Sequence, residues 1–329
     1  MNKKVLITGG AGFIGYFLAL SLSEEGFTVV LLDNFVRGNK DKLLDKLISR
    51  KNVQFINVNC VDFLSVMKID KDFDYIIHLA AIIGVKHVNN NPYSVLENNV
   101  LMLNNIIKLA KAQKNLSRLL FASTSEVYSG TLENFGMQIP TPENTPLSIN
   151  SLTRKRTSYM LSKIYGETMC IQSGLPYTIF RPHNIYGPRM GMSHVIPEQL
   201  KKAYETNNGE VMSIASPQQT RCFCFIDDAI EILKKIIIND SCTNEILNIG
   251  VQNPEISIEE LIQICWKVVG KEFFIKKEKN TIGSPMRRAP NMEKTIKLIG
   301  KFRETDLEFG IKKTYDWYLH NVFKQKLIQ

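Results

Sequence analysis

A glycine-rich turn after an apolar run constrains the fold of this chain more than any other feature. Residues 5–9 read VLITG, typical of a buried strand, and residues 9–15 read GGAGFIG, which contains both GxGxxG and GxxGxxG. Such glycines permit a tight turn and a close approach of backbone to a pyrophosphate, which then meets the N-terminus of the next helix. Asp33 ends the second apolar run about 20 residues on, as the dinucleotide fingerprint requires.

The residues near Asp33 bear on the choice of dinucleotide. The Asp33 carboxylate can accept hydrogen bonds from ribose hydroxyls and would repel a 2′-phosphate, which favours NAD over NADP. Arg37 lies four residues further on and can hold a 2′-phosphate, so NADP stays open as the alternative.

The first half of the chain alternates between strand and helix. Apolar runs at 5–9, 28–33, 53–58, 75–80 and 118–123 are separated by helical patterns, notably at 92–113 and 157–173. Buried runs connected by helices indicate a parallel sheet covered on both faces. The sequence therefore predicts an α/β fold: a Rossmann doubly wound parallel sheet with a smaller mixed α/β substrate-binding domain.

The second half is less regular. Its predicted elements are strands at 177–182, 223–227, 245–250 and 272–279, and helices from about residue 196, at 257–270 and at 305–323. The polar stretch 130–151, with three prolines, predicts a long surface loop. We expect an NAD-binding domain over 1–180 plus about 221–250, and a substrate-binding domain over 181–220 and 251–329.

Charge and cysteine content exclude several classes of protein. The net charge of +9 is spread along the chain, whereas nucleic-acid binders concentrate basic residues on one stripe. No apolar run reaches the roughly 18 residues of a membrane helix. The six cysteines form no CxxC pair, and Cys222 and Cys224 lack further metal ligands nearby. Without a recognisable export signal, we expect reduced thiols, no metal and a cytoplasmic protein.

Two motifs carry potential chemistry. Tyr159 and Lys163 are four residues apart in a predicted helix and so share one face, a spacing that by itself is common. The segment STSEVY at 123–128 places two hydroxyl groups and a carboxylate where the apolar run 118–122 ends.

With these motifs in order, the chain resembles the extended short-chain dehydrogenase/reductases of the nucleotide-sugar epimerase/dehydratase branch. The resemblance rests on TGGAGFIG, Asp33, HLAA at 78–81, ENNV around Asn99, STSEVY, YMLSK, RPHNIYGPR at 181–189, RCFCFIDD at 221–228 and RRAP at 287–290. These pieces cover nearly the whole length in family order.

The resemblance implies that Thr124, Tyr159 and Lys163 form a hydride-transfer triad. A lysine ammonium favours the phenolate of a tyrosine, which can then take a proton from a sugar hydroxyl. Ser125 and Glu126 stand where similar dehydratases have Asp-Glu, and a serine is too weak an acid to expel water. The pattern resembles decarboxylases and plain C4 oxidisers instead. Glu126 is either a base or a holder of a sugar hydroxyl.

The resemblance also implies ligand contacts. Expected cofactor contacts, beside Asp33, Arg37, Tyr159 and Lys163, are Gly9, Gly12, Phe13, Ile14, Gly15, Asn34, Asn59, Cys60, Leu79, Ala80, Ala81, Asn99 and Pro182. Expected substrate contacts are Lys86, His87, Glu126, Asn184, Val195 and Arg221, together with Arg287 or Arg288 as a diphosphate clamp. Asn59 departs from the acidic residue usual there, but its carbonyl can still meet the adenine amine.

Within the branch, 78–88 and 181–198 most resemble the GDP-manno-heptose 4-dehydrogenases of capsule biosynthesis. That likeness implies NAD-dependent C4 oxidation, with NADH retained on purification, in a homodimer or higher homo-oligomer assembled through the helices at 92–113 and 157–173. Alternatives are a nucleotide-sugar 4-epimerase, a UDP-glucuronate decarboxylase, or a non-catalytic dinucleotide-sensing regulatory protein, against which the intact Thr-Tyr-Lys set argues.

Overall fold

The structure is a computed structural model that describes residues 3–38, 40–278 and 286–324, without the side chains of Val85, Lys86 and Lys277. The strands are β1 (Lys4–Thr8), β2 (Thr28–Asp33), β3 (Val53–Asn57), β4 (Tyr75–His78), β5 (Arg118–Ala122), β6 (Tyr177–Pro182), β7 (Ile185–Tyr186), β8 (Glu210–Ala215), β9 (Thr220–Cys222), β10 (Cys224–Phe225), β11 (Glu245–Ile249), β12 (Glu255–Ser257), β13 (Phe273–Glu278) and β14 (Arg287–Arg288). The α-helices are α1 (Phe13–Glu24), α2 (Lys42–Ile48), α3 (Phe63–Met67), α4 (Val85–Asn90), α5 (Pro92–Lys111), α6 (Ser129–Phe135), α7 (Thr157–Gln172), α8 (Val195–Glu205), α9 (Ile226–Ile238), α10 (Ile258–Val269), α11 (Glu293–Ile299) and α12 (Leu307–Tyr318). Short 3₁₀ turns span Ser125–Tyr128 and Asp240–Cys242, and a π-helical turn spans Leu319–Phe323.

The main sheet has seven parallel strands in the order β11-β6-β5-β4-β1-β2-β3. Successive residues of β1 face opposite sides: Val5 and Ile7 belong to one core and Leu6 to the other. The first core packs against α1 and α9, and the second against α3, α5 and α7. The prediction of a doubly wound parallel α/β sheet is confirmed.

Smaller sheets follow the main one in the second half. β9 pairs antiparallel with β12 and parallel with β14, while β8 pairs with β13 and β7 with β10. The register of β14 on β9 sets Arg288 opposite Arg221. Helix α10 begins with a capping box, in which Ser257 and Glu260 each bond the other's backbone N–H. Helices α8 and α12 both contact α10.

Two predicted elements were wrong in part. The stretch 130–151 contains most of α6 rather than loop alone, because Ser129–Phe135 holds no proline and Gly136 ends the helix with a φ of +70°. Of the predicted strand 223–227, only Cys224–Phe225 forms a strand, which is β10, because α9 begins at Ile226. Asp227 and Asp228 lie in the first turn of α9, where acidic side chains stabilise a helix N-terminus.

The structure also bears on membranes and thiols. Within the described ranges, no helix has the length and apolarity needed to cross a bilayer. All six cysteines lie in those ranges, buried and without a disulfide.

Candidate active site

The glycine turn between β1 and α1 lies at the carboxyl edge of the main sheet. Gly9 has a φ of +71°, and a Cβ there would sit 2.9 Å from the backbone nitrogen of Ala80. A Cβ on Gly15 would collide with the carbonyl oxygen of Gly9. Gly12 caps α1 without a side-chain hydrogen bond to the first turn, which begins with Phe13. The turn is therefore a cradle that side chains would fill, and it fits the pyrophosphate of a dinucleotide.

Asp33 is fixed at the end of β2 by backbone donors. Its carboxylate accepts hydrogen bonds from the N–H groups of Ala11 (3.0 Å) and Phe35 (2.8 Å). Each oxygen keeps a lone pair that can accept a ribose hydroxyl, and its negative charge opposes a 2′-phosphate. Arg37 is exposed on the next loop, and its charge acts to lower the pKa of Tyr159, so its electrostatic effect reaches the triad.

The residues predicted to contact the adenine side of the cofactor differ in exposure and in hydrogen bonding. Asn34 and Asn59 are exposed, and each side chain accepts the N–H two residues on, from Val36 (3.2 Å) and Val61 (3.1 Å). Cys60 is buried, and burial raises the pKa of its thiol to about 12, so the thiol stays protonated at neutral pH.

The loop after β4, residues 79–81, is half-buried beside the glycine turn. The N–H of Ala80 donates to the hydroxyl of Thr8 at 3.1 Å. The amide of Asn99 accepts from the N–H of Ile82 at 2.7 Å and donates to its carbonyl at 3.1 Å. The side chain of Asn99, predicted as a cofactor contact, is thus hydrogen-bonded to the residue that follows this loop.

The structure brings Thr124, Tyr159 and Lys163 together. The Thr124 hydroxyl is close enough to the Tyr159 side chain to lower the pKa of the phenol, and the Lys163 Nζ lies 6.0 Å from the Tyr159 ring centroid. Burial is the largest influence on Tyr159 and raises its pKa well above the ordinary value, although the interaction with Thr124 opposes this in part. Lys163 donates to the carbonyl of Ala122 at 2.7 Å, and burial lowers its pKa to about 8. At neutral pH the phenol of Tyr159 is therefore protonated, and a positive charge beside it is needed to make it a base.

Glu126 is held in an ion pair. One oxygen accepts from Arg288 at 2.9 Å, and the other lies 3.5 Å from the guanidinium of Arg156. The charge of Arg288 is the main cause that keeps the pKa of Glu126 below its usual value, against the effect of burial. Glu126 is therefore ionised at neutral pH and cannot donate a proton. Its neighbour Ser125 is buried beside Arg288.

The adjacent arginines of β14 point to different partners, as successive strand residues do. Arg287 is exposed and makes two hydrogen bonds to Glu255, at 2.9 and 2.7 Å. Arg288 turns instead to Glu126 and stands opposite Arg221. Burial, then the charge of Arg288, lowers the pKa of Arg221 to about 10. Two neighbouring cations of this kind suit an anionic group such as a diphosphate.

The remaining predicted substrate residues lie on other elements of the fold. Asn184 has a φ of +40°, and its amide donates to the carbonyl of Cys222 at 2.9 Å, which ties the end of β6 near Pro182 to β9. Val195 is the first residue of α8. His87 is exposed on α4, and the side chain of Lys86 lies outside the described residues.

Sequence reasoning missed a buried ion pair beneath the site. Arg181 binds Glu167 through two hydrogen bonds, at 2.9 and 2.6 Å, and both side chains are almost fully buried. Glu167 also accepts from the hydroxyl of Ser123, and Arg181 donates to the hydroxyl of Tyr128 at 2.7 Å. The available signal was an arginine inside the otherwise apolar run 177–182 and a glutamate four residues after Lys163. Arg156, near Glu126, was also missed.

Comparisons with known proteins find relatives that match this chain over nearly its whole length. The sequence profile described as "NAD dependent epimerase/dehydratase family" matches residues 5–250. A UDP-N-acetyl-alpha-D-glucosaminuronate decarboxylase of Bacillus cytotoxicus is 32% identical over 97% of this chain and 98% of its own length. A putative UDP-glucose 4-epimerase of Methanocaldococcus jannaschii is 31% identical over 96% and 99%. The structure of UDP-glucuronic acid 4-epimerase from Bacillus cereus, in complex with UDP-glucuronic acid and NAD, has a TM-score of 0.79 and 26% identity, over 96% of this chain and 99% of that one.

Proposed function

This chain belongs to the NAD dependent epimerase/dehydratase family, and we propose that it oxidises C4 of a nucleotide-diphosphate sugar. The observation that carries the proposal is that Thr124 and Lys163 both lie near Tyr159, with the Lys163 Nζ 6.0 Å from the centroid of the phenol ring. This arrangement supports the proposal because a proton acceptor, a hydroxyl that can orient the sugar oxygen and a positive charge lie near one another.

Tyr159, Lys163 and Thr124 have separate roles in the proposed oxidation. The Tyr159 phenolate takes the proton of the C4 hydroxyl, and the charge of Lys163 stabilises that phenolate. Thr124 donates or accepts a hydrogen bond at the same oxygen. NAD, when bound in the glycine turn, supplies the acceptor for the hydride that leaves C4. The sugar thus loses one proton and one hydride and becomes the 4-keto sugar.

The substrate's diphosphate is assigned to the two arginines of the smaller sheets. Arg221 and Arg288 stand on paired strands, and a guanidinium matches phosphate oxygens well. Asn184 lies near them through its hydrogen bond to Cys222 in β9. The charge of Arg288 can balance both the Glu126 carboxylate and the negative charge of a bound diphosphate.

The next question is what happens to the 4-keto sugar. Water elimination needs an acid, but Ser125 is too weak and Glu126 is held ionised by Arg288. We therefore favour release of the 4-keto product with C6 intact. The substrate we propose is GDP-D-glycero-manno-heptose, in capsule or surface polysaccharide biosynthesis, and the support is the likeness of residues 78–88 and 181–198 to such dehydrogenases.

A second candidate is decarboxylation of a nucleotide uronic acid. It is favoured by the 32% identity, over nearly the whole length, to the Bacillus cytotoxicus decarboxylase. The first step would be the same C4 oxidation, after which a carboxylate on C6 is lost readily because C4 is a ketone. In that case Glu126 and Arg288 would adjoin C5 and C6.

The mass of the product separates these outcomes. The protein would be incubated with GDP- and UDP-sugars, including the heptose and the uronates, with NAD in excess. Loss of about 2 mass units indicates oxidation alone, about 46 oxidation with decarboxylation, about 18 elimination, and no change epimerisation. We expect the loss of 2, with NADH formed in equal amount. Loss of 18 or no change would contradict the proposal, and loss of 46 would favour the second candidate.

Substitution of Glu126 also tests whether the reaction is oxidation at C4 alone. Glu126→Gln should slow simple oxidation only modestly, because oxidation at C4 moves no proton through this carboxylate. A complete block in that variant, with NAD binding retained, would mean that Glu126 moves a proton at C5, and the 4-dehydrogenase assignment would fail.

A further inference from the structure

An arginine from the second half of the chain reaches the glycine turn between β1 and α1. Arg189 follows β7 in sequence, yet the Nη1 of its guanidinium lies 3.5 Å from the carbonyl oxygens of both Ala11 and Gly12. Its side chain is 4% exposed. The predicted cofactor contacts do not include Arg189, and it takes no part in the proposed proton transfer.

Further contacts hold the guanidinium of Arg189 in this position. Its Nε donates to the carboxylate of Asp41 at 2.7 Å, and its Cζ lies 4.4 Å from the ring centroid of Tyr16 on α1. Asp41 is itself fixed, because it caps α2 by accepting from the N–H of Leu44. The φ of Arg189 is +64°, a strained value for a residue other than glycine, and strain of this kind is typical of functional positions.

The carbonyl groups that face Arg189 determine where the N–H groups of the turn point. In a planar trans peptide, the C=O of one residue and the N–H of the next point in opposite directions. The carbonyl of Ala11 shares its peptide with the N–H of Gly12, which closes the turn by donating to the carbonyl of Gly9 at 3.0 Å. The carbonyl of Gly12 shares its peptide with the N–H of Phe13, the first residue of α1, and the first N–H groups of a helix have no partner within it. A cation on the carbonyl side thus directs this N–H away from itself, toward the cradle.

Charged groups hold the turn from both sides. The N–H of Ala11 donates to the carboxylate of Asp33 at 3.0 Å, while the carbonyl of Ala11 faces Arg189. Gly187, two residues before Arg189, packs on the first turn of α1, since a Cβ there would lie 3.6 Å from the ring of Phe13. The glycine turn is therefore held between the end of β2 and the segment 187–189.

We propose that Arg189 positions the glycine turn for the pyrophosphate of NAD, by fixing the peptide planes of residues 11–13 from the carbonyl side. The inference rests on the binding of NAD in this turn, which the proposed function requires. Arg189 acts on the cofactor through the backbone and is therefore a positioning residue. Its charge also adds to the positive end of the α1 dipole, and both effects favour an anionic diphosphate. An uncharged ligand such as adenosine gains nothing from either effect.

The test compares ligands that carry the diphosphate with one that lacks it. Full-length protein, dialysed free of nucleotide, would be titrated by calorimetry with NAD and ADP-ribose, and the affinity for adenosine would be measured by competition against NAD. Arg189→Met should weaken the binding of NAD and ADP-ribose about tenfold, the effect of one lost hydrogen bond to a charged group, and leave that of adenosine unchanged. An unchanged affinity for NAD would overturn the proposal. An equal loss for adenosine would also overturn it, because the substitution would then have disturbed the whole site.

Two further variants control for charge and for the loss of an arginine. Arg189→Lys keeps the charge, but an ammonium lacks the planar fork that reaches Asp41 and the two carbonyls together, so the binding of NAD should weaken about threefold. Arg50→Met removes an arginine from the opposite end of α1, where Arg50 binds Ser23 at 3.1 Å and Glu24 at 2.9 Å. This variant should keep the wild-type affinity for NAD, and a loss equal to that of Arg189→Met would overturn the proposal. If Arg189→Met does not fold, as judged by thermal unfolding, the lysine variant decides, and an unchanged affinity for NAD in that variant would overturn the proposal.

These titrations contain no sugar, which keeps the inference apart from the proposed function. A selective loss of diphosphate binding, in a protein that oxidises no nucleotide sugar, would retain the role of Arg189 and refute the proposed reaction. Oxidation at C4 by the wild type, with an unchanged affinity for NAD in Arg189→Met, would do the reverse.

Discussion

Replacing Lys163 by methionine should slow C4 oxidation about 100-fold at neutral pH, because the substitution removes the charge that favours the Tyr159 phenolate. Methionine has a similar length and no charge, so packing against Phe121, whose ring centroid lies 4.8 Å from the Lys163 Nζ, can be retained. The hydrogen bond to the carbonyl of Ala122 is lost in the same variant.

The magnitude follows from the separation of the two groups. Taking the 6.0 Å between Nζ and the ring centroid of Tyr159 as the separation of the two charges, and an effective dielectric constant of about 20, the attraction is about 3 kcal/mol. That energy corresponds to about two pKa units of the phenol. Below its pKa, the fraction of tyrosine present as phenolate falls tenfold for each unit, which gives the factor of about 100.

The assay is the pH dependence of hydride transfer in a single turnover, followed as NADH absorbance. Since phenolate is the active form, the rate rises with pH through the pKa of Tyr159, and a higher pKa moves this rise to higher pH. The Lys163→Met profile should be displaced upward by about two units with its plateau largely kept. Lys163→Arg, which retains the charge, should be displaced less. A methionine variant that binds NAD but loses rate equally at every pH would refute the reasoning.

Two further predictions concern stability and assembly. Glu167→Gln should lower the free energy of unfolding by about 3–5 kcal/mol in urea denaturation, because Arg181 keeps its charge in a buried place without a counter-ion. A loss below 1 kcal/mol would contradict this. Leu101 and Tyr165 expose apolar surface on the packed helices α5 and α7, so we expect a dimer through a four-helix bundle. Sedimentation should show a dimer in wild type and a monomer in Leu101→Glu; a wild-type monomer at micromolar concentration would exclude the bundle.

The main sheet was predictable because its strands are buried on both faces. Such strands form continuous apolar runs, and the run 28–33 coincides with β2 while the run 118–123 contains β5. The helix start at Ile226 was not predictable, because a short apolar run does not by itself distinguish a strand from a helix. Its two aspartates were the signal that favoured a helix.

The site was predictable where a local motif encodes the geometry. The glycine turn and the pair Tyr159 and Lys163 are such cases, since the helix period alone puts the pair on one face. The ion pair of Glu126 with Arg288 joins residues 162 positions apart and depends on the register of β14 on β9, which no local pattern encodes.

The fate of a deuterium on C4 tests the central claim most directly. A nucleotide sugar deuterated at C4, mixed with the NAD-loaded protein, should deliver its deuterium to the nicotinamide within one turnover. Tyr159→Phe, with NAD binding unchanged, should slow that transfer by about 100- to 10,000-fold, since the general base is removed. Deuterium that remains on the sugar during turnover, or near-normal transfer in Tyr159→Phe, would contradict C4 oxidation through Tyr159.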